Sequence, residues 1–462
     1  MAWLAGWGKR VEVLLDHNDI DAAQSDFPHL IEISTSAGYN NKDITFVFDE
    51  LQNNANRKKI AVTTSDGVTQ CYVEIEHWNH AGELAWLWVK VPDVDPDVDT
   101  ELWLYYDGTH VDNDAYVGDP NDAVVHNVWD VYHKFVSHMR DDPDTSHIRD
   151  STENANDGTK FAADEPIETD GKIGKSQDFD GVEDYVNVPH DDSLNVEKNF
   201  TISVWIYPKT GATVDSASIV SKKDTGGEYE GYSLRFPSAI TENKLEVHLN
   251  HIAERWIDST GTLTVNSWQY VSWTYNGTIS VIYFNGSEDS TNTMTPSTST
   301  VESQLEIGRS TWDINQYFEG IIDEVRISNI VRTPSWIKAS YESGRDHLND
   351  FGEEETYTPP VAPPTAGIPP LILRPPPRRI PFTTRLITFG QIRRPLIQAG
   401  LFVGRIRRSF QDKVVFTATA VKRIDEKLSM DGFIVTEDIP DHAWEALFEA
   451  MENEPVEEEL IE

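Results

Sequence analysis

The stretch NFTISVWIYPK (residues 199–209) places Ile202, Val204 and Ile206 at alternate positions. The same period returns in NSWQYVSWTYNGTISVIYFNG (266–286), through Val271, Trp273 and Tyr275 and then Val281 and Tyr283. It continues in QLEIGRS (304–310) and FEGIIDEVRISNIVRTPSWIKASY (318–341). A repeat of two is the signature of strands half buried in an antiparallel sheet. Asn276-Gly277 and Asn285-Gly286 fall between the runs, and Asn-Gly supplies the positive φ of a two-residue hairpin. No run has the spacing of a long amphipathic helix, so the region reads as the core of a β-sandwich.

Toward the N-terminus the strand pattern persists in KRVEVLLD, FPHLIEIS, DITFVFDE, KKIAVTT, TQCYVEIEHW, ELAWLWVKVP and TELWLYYDG. Trp78, Trp86, Trp88 and Trp103 alternate there with other apolar residues, which favours core packing over a sugar-stacking platform. Cys71 is the single cysteine of the 462 residues and excludes an intrachain disulfide; its strand context makes it a small apolar core residue. In PDVDPDVDT, Asp93, Asp95, Asp97 and Asp99 alternate, but two prolines and the lack of a turning glycine favour a solvated turn over a calcium loop.

These blocks resemble known modules. FDGVEDYVNVP, FTISVWIYP, NSWQYVSWTYNG, YFNG, LEIGRS, FEGIIDEVRISN and RTPSWIKASY occur in the order of a laminin-G-like, concanavalin A-like jelly roll, with VWDVYHKFVSHM as its first strand. The opening GWGKRVEV, FPHLIEI, DITFVFDE, YVEIEHWN, LAWLWVKVP and LWLYYDG resemble a β-domain of unknown function that precedes such modules in archaeal and bacterial surface proteins. The jelly-roll resemblance implies a rim calcium ion held by Asp150, Asp180 and Asp323, because calcium accepts oxygen ligands from distant loops. The fold itself hosts lectins, glycosidases, adhesion modules and spacers alike.

Glycosidases need two carboxylates facing one cleft. Glu74 and Glu76 alternate on one strand but lie outside the jelly roll, whereas Asp323 and Glu324 are adjacent and should point to opposite faces of theirs. No HExxH, GxSxG or phosphate-cradling loop occurs, so binding or structure is expected rather than catalysis.

From residue 351 the composition changes. GEEETYTPPVAPPTAGIPPLILRPPPRRIP reads as an acidic and then polyproline II linker. Residues 371–427 then carry 13 Lys and Arg against three acids, whereas the preceding 370 residues carry 25 against 63 and residues 428–462 carry 12 acids and no base. The basic segment mixes Arg393, Arg394, Arg405, Arg407 and Arg408 with apolar residues. It reads as a surface for docking on acidic protein, such as another copy of the chain, because arginine grips carboxylates bidentately. The formal charge of −40 disfavours nucleic acid as partner of the whole. KVVFTATAVKRI reads as a strand and IPDHAWEALFEAME as a short helix.

The expected architecture is all-β: two tandem β-sandwich domains at 1–118 and 127–345, a proline-rich linker at 351–381, and a small mixed region at 382–462. MAWLAGWGKRVEVLLD lacks the layout of a signal peptide, and no segment nears the roughly 18 apolar residues of a membrane span. Surface-type modules without an export signal point to a non-enzymatic virion structural protein of an archaeal or bacterial virus. It would be made in the host cytoplasm and displayed on capsid or tail, with host glycan as an outward partner. The C-terminal region would join it to other virion proteins or into a homo-oligomer. The competing readings are a cellular carbohydrate-binding or adhesion protein, at the cell surface or outside it, and a glycoside hydrolase.

Overall fold

In the computed structural model, NFTISVWIYPK forms the strand Phe200–Pro208, with Phe200, Ile202, Val204 and Ile206 turned into a sandwich interior. The structure describes residues 2–359, apart from 121, 162–164, 197, 211–216, 225–229, 238–242, 250–255, 295–299 and 311–315, together with two short strands beyond them. One sheet of the sandwich runs Ile167–Asp170, Lys175–Asp180, Glu319–Ser328, Phe200–Pro208, Gln269–Tyr275, Ile279–Phe284 and Ser287–Thr293, with His133–Ser137 also paired to Glu319–Ser328. The facing sheet has eight strands, among them Tyr185–Val188, Leu305–Ile307, Ser218–Lys223 and Gly231–Arg235. Phe179, Val186, Leu234, Trp273 and Ile307 fill the space between them. Fully burying such side chains stabilises by about 1.5–3 kcal/mol each.

The N-terminal module is a second, smaller sandwich. A four-stranded sheet orders Gln24–Ile33, Leu84–Val94, Val73–Asn79 and Val117–Gly118. A five-stranded one orders Asn349–Thr356, Lys9–Leu15, Thr100–Tyr106, Ile60–Thr64 and Gln70–Cys71. The first strand of that five-stranded order comes from beyond the jelly roll. Residues 351–356, read as the start of a linker, pair antiparallel with Lys9–Leu15 and send Phe351 into the N-terminal core. The helix Pro334–Gly344 leads the chain back: Pro at its start and the Thr333 side chain, which accepts from Trp336 N, set its beginning. Its Ser335 and Ser343 bond Gln24 and the Leu30 backbone of the neighbouring sheet.

Two local expectations are corrected. DITFVFDE contains a helix, Phe46–Leu51, rather than a strand, because Val47, Phe48 and Leu51 reach the core from one helical face. Asn285-Gly286 is a two-residue hairpin with both φ positive, at 49° and 78°. At Asn276-Gly277 only Gly277 has positive φ, and the Asn276 side chain instead accepts from Thr278 N and Ile279 N.

The jelly-roll sheet is buried on both faces. Trp205, Tyr270 and Tyr283 point away from the sandwich interior and pack with Leu30 and Trp88 of the N-terminal module, and with Val128, Trp129, Val136 and Ile173. Both modules accordingly fall within one compact unit, Met1–Val361, and Ala362–Glu462 forms another. In the latter, Val414–Val415 pairs parallel with Phe433–Ile434. The helix read at IPDHAWEALFEAME and the five arginines from Arg393 to Arg408 lie outside the described residues. Among the described residues no helix is long and apolar enough to cross a membrane.

Candidate functional site

The seam between the modules encloses charge as well as aromatic rings. On the strand Val73–Asn79, Val73 and Ile75 face the N-terminal core, so Glu74 and Glu76 project the other way, toward the jelly roll. From the opposite side, Ile322, Val325 and Ile327 face the jelly-roll core. Asp323 and Glu324 both escape it because the strand bulges there: Trp205 pairs with Asp323 but Ser203 with Arg326, and Glu324 takes a φ of 51°. The expectation that these two neighbours point to opposite faces therefore fails, since one extra residue resets the alternation.

His138 follows the strand His133–Ser137 and lies between the two sets of acids. Its Nδ1 is 2.5 Å from Glu324 Oε1 and 3.5 Å from Glu76 Oε2, and its Nε2 is 3.4 Å from Glu74 Oε1. Each carboxylate is also held from outside the cluster. Trp88 Nε1 donates to Glu76 (2.7 Å), Trp129 Nε1 and Ser151 Oγ donate to Glu74 (2.7 and 2.5 Å), and Arg326 donates to Glu324 (2.6 Å). The Arg326 guanidinium stacks over Trp88 and Trp129, 4.2 and 4.8 Å from the ring centroids. None of Glu74, Glu76, His138, Asp323 and Glu324 is more than 2% exposed.

Burial at this depth disfavours charge, and the cluster responds unevenly. Burial pushes Glu76 up to about 8, opposed by the His138 charge and assisted by Glu324. Asp323 is raised well above its ordinary value by burial, then by the charges of Glu324 and Glu76. Burial opposes the His138 charge too, but Glu324, Glu76 and Glu74 outweigh it and hold the imidazole well above its ordinary value. Burial likewise pushes Glu324 upward, and the His138 and Arg326 charges reverse that. With protons alone, His138 and Glu324 favour their charged forms, while Glu76 and Asp323 hold their protons more tightly than an ordinary carboxyl does.

Asp150 is buried, and its oxygens accept from Val136 N, Thr152 N, Thr152 Oγ1 and Asn156 N. It ties the loop that presents Ser151 to Glu74. Burial, against those bonds, raises it to about 6. Asp180 is exposed at a strand end and accepts from Val182 N and Glu183 N. Asp323 Oδ2 accepts from Ile173 N (2.9 Å), and its Oδ1 has no partner. Among the described residues, these three do not form a ligand-spaced group. The groups that do are Glu76/His138/Glu324, Asp16/His17/Asp99 and Asp19/Glu342/His347. Cys71 is buried, and burial pushes its thiol up to about 12.

Beside the cluster, across Trp129 and Thr152, a cleft of about 460 Å³ opens to solvent between the modules. Asp26 and Lys90 line it from the N-terminal side, and Asp130, Tyr132, Glu153 and Arg332 from the other. Asp26 has a φ of 53°, and its carboxylate lies 3.3 Å from Lys90 Nζ. Arg332 clamps Asp130 bidentately at 2.6 and 2.7 Å, fixing the loop on which Tyr132 remains 46% exposed.

Residues 180–338 match the family model described as the concanavalin A-like lectin/glucanases superfamily. No curated protein sequence matches the chain. Among solved structures, domain 4 of AbnA, a GH43 extracellular arabinanase from Geobacillus stearothermophilus solved with arabinotriose, is 22% identical over 45% of this chain and 96% of that one, with a TM-score of 0.36. The binding domain of Paraclostridial Mosquitocidal Protein 1 is 16% identical over 46% of this chain and 52% of that one (TM-score 0.38). The botulinum neurotoxin serotype D binding domain is 13% identical over 46% and 51% (TM-score 0.35). The chain thus spans about half the length of these two toxin domains. At residues 180–338 the chain carries a laminin-G-type jelly roll of the concanavalin A-like lectin/glucanases superfamily.

Proposed function

We propose that this protein is a non-enzymatic, glycan-binding structural protein displayed on the capsid or tail of an archaeal or bacterial virus, held there by its C-terminal region. The observation that carries the binding part is the open cleft. An exposed tyrosine, a paired lysine and aspartate, a clamped aspartate and a free glutamate edge converge there beside a lectin-type sandwich. A ring to stack on with polar groups around it is the arrangement that recognises a pyranose. The non-enzymatic part is supported by the burial of the acids: Glu74, Glu76, Asp323 and Glu324 are at most 1% exposed, so a sugar does not reach them as they stand. The viral part rests on the oppositely charged C-terminal sequence and the surface-type modules. Particle association through that region is its direct consequence.

The test is a glycan array probed with the full chain and with Tyr132→Ala. Binding to a defined glycan should weaken about three- to tenfold in the variant, as expected for one lost stacking ring, with the melting temperature unchanged. Absence of any glycan ligand, or a Tyr132→Ala protein that binds as the parent does, would remove the cleft from this reading.

A further inference from the structure

Four carboxylates and two cationic side chains share the seam. Glu74, Glu76, Asp323 and Glu324 stand against His138 and Arg326, and all six are less than a tenth exposed. Burying four carboxyl groups against two cations is costly unless protons or a metal ion neutralise the excess. Three polar atoms are also left without hydrogen-bond partners: Glu76 Oε1, His138 Nε2 and Asp323 Oδ1. An unpaired polar atom at this depth calls for an explanation, and three of them meet in this one seam.

We propose that Glu76, His138 and Glu324 form a structural site for a first-row divalent cation, zinc or manganese, which fastens the N-terminal module to the jelly roll. The donor set is one imidazole nitrogen and two carboxylates, which suits these ions better than the all-oxygen shells of calcium or magnesium. One ligand atom from each residue lies within 4.8 Å of the others. The surroundings have the order expected around a metal. His138 presents Nδ1 to Glu76 and Glu324, while its other nitrogen lies 3.4 Å from Glu74 Oε1 without a hydrogen bond, near the place from which a second carboxylate would orient a metal-bound ring. Trp88 and Arg326 orient the two ligand carboxylates, and Trp129 and Ser151 orient Glu74. Glu76 retains a spare oxygen for a further bond. The backbone supports the same reading, because a non-glycine residue held at positive φ, as Glu324 is, persists where its side chain is needed in that place. The ligands come from both modules, so a cation here couples their folding.

The full chain, purified after expression in medium supplemented with zinc and manganese and washed with a chelator, should retain about one metal equivalent by elemental analysis. Prolonged chelation under mild denaturant should lower its melting temperature, and zinc or manganese should restore it. Glu76→Gln and Glu324→Gln should lose the metal, while Glu74→Gln should keep it with affinity weakened about 10–100-fold. Glu76→Gln imitates the protonated acid, so it separates the cases. If protons alone neutralise the cluster, that variant folds at least as stably as the parent, neither protein holds metal, and the proposal falls. Metal retained unchanged by both glutamine variants would place it elsewhere and overturn the proposal equally. Should the variants fail to fold, the metal content of the parent and its response to chelation decide.

Discussion

His29 is fully buried between the N-terminal sheet and the returning chain. Its Nε2 meets Asn349 Oδ1 at 2.6 Å, and Ser343 Oγ lies 3.1 Å from its Nδ1. Burial, only partly opposed by the Asn349 bond, pulls its pKa down to about 4. The unfolded chain therefore binds a proton near the ordinary value of 6.5 that the folded chain refuses until about pH 4. The neutral ring's contribution is complete above pH 6.5 and is lost as pH falls toward 4. A shift of this size corresponds to roughly 3 kcal/mol. His133, lowered to about 4 by burial and then by the Arg332 charge, acts in the same direction. Urea unfolding at pH 7 and pH 4.5 should show the parent losing several kcal/mol and His29→Gln losing less; an equal loss in both would count against this role. Nothing in FPHLIEIS announces a buried neutral histidine, because its partners, Ser343 and Asn349, lie more than 300 residues away in sequence. Glu74 and Glu76 were legible as a pair facing one way, whereas what they face was not.

Strands declare themselves by alternation, and the elements that depart from the sequence pattern are those in which alternation fails or is masked. The bulge in Glu319–Ser328 lies at Asp323 and Glu324, away from the strand's one glycine, Gly320, so simple alternation puts those two acids on opposite faces. Asn349–Thr356 is acidic, adjoins the prolines, and buries few residues, among them Asn349 and Phe351, so it looked like linker. It nevertheless covers the edge of Lys9–Leu15, and Leu348 and Phe351 belong to the N-terminal core. Removing it would expose that edge and forfeit the His29–Asn349 bond. A chain ending after Gly344 should therefore lose several kcal/mol and aggregate or unfold on expression, whereas one ending after residue 359 should melt as a cooperative unit. Limited proteolysis and thermal melts of the two truncations check this. Equal melting of both would show that the strand is dispensable.

At the scale of the whole molecule, the two sandwiches were legible because each repeats one simple period, but their union was not. The seam depends on the second face of a strand whose residues, Trp205 for example, read equally well as core. Its charged partners come from distant stretches, His138 lying 186 positions from Glu324 and Arg332 lying 202 from Asp130, where no local pattern links them. What composition does display is polarity along the chain: residues 1–370 carry 63 acids against 25 bases, and residues 371–427 carry 13 bases against three acids. A segment with a net charge of +10 beside so acidic a body has a strong electrostatic reason to seek acidic protein surface, and arginine suits bidentate contact with it. If that surface belongs to another copy, light scattering should find the full chain oligomeric at moderate salt and the chain ending after residue 359 monomeric. Raising salt toward 1 M, where screening acts within about 3 Å, should then loosen the oligomer to the extent that its contacts are exposed. Monomers in both cases would direct the basic segment to a different partner. Recovery of the truncated chain at full occupancy on purified particles would remove that segment from the attachment proposed here.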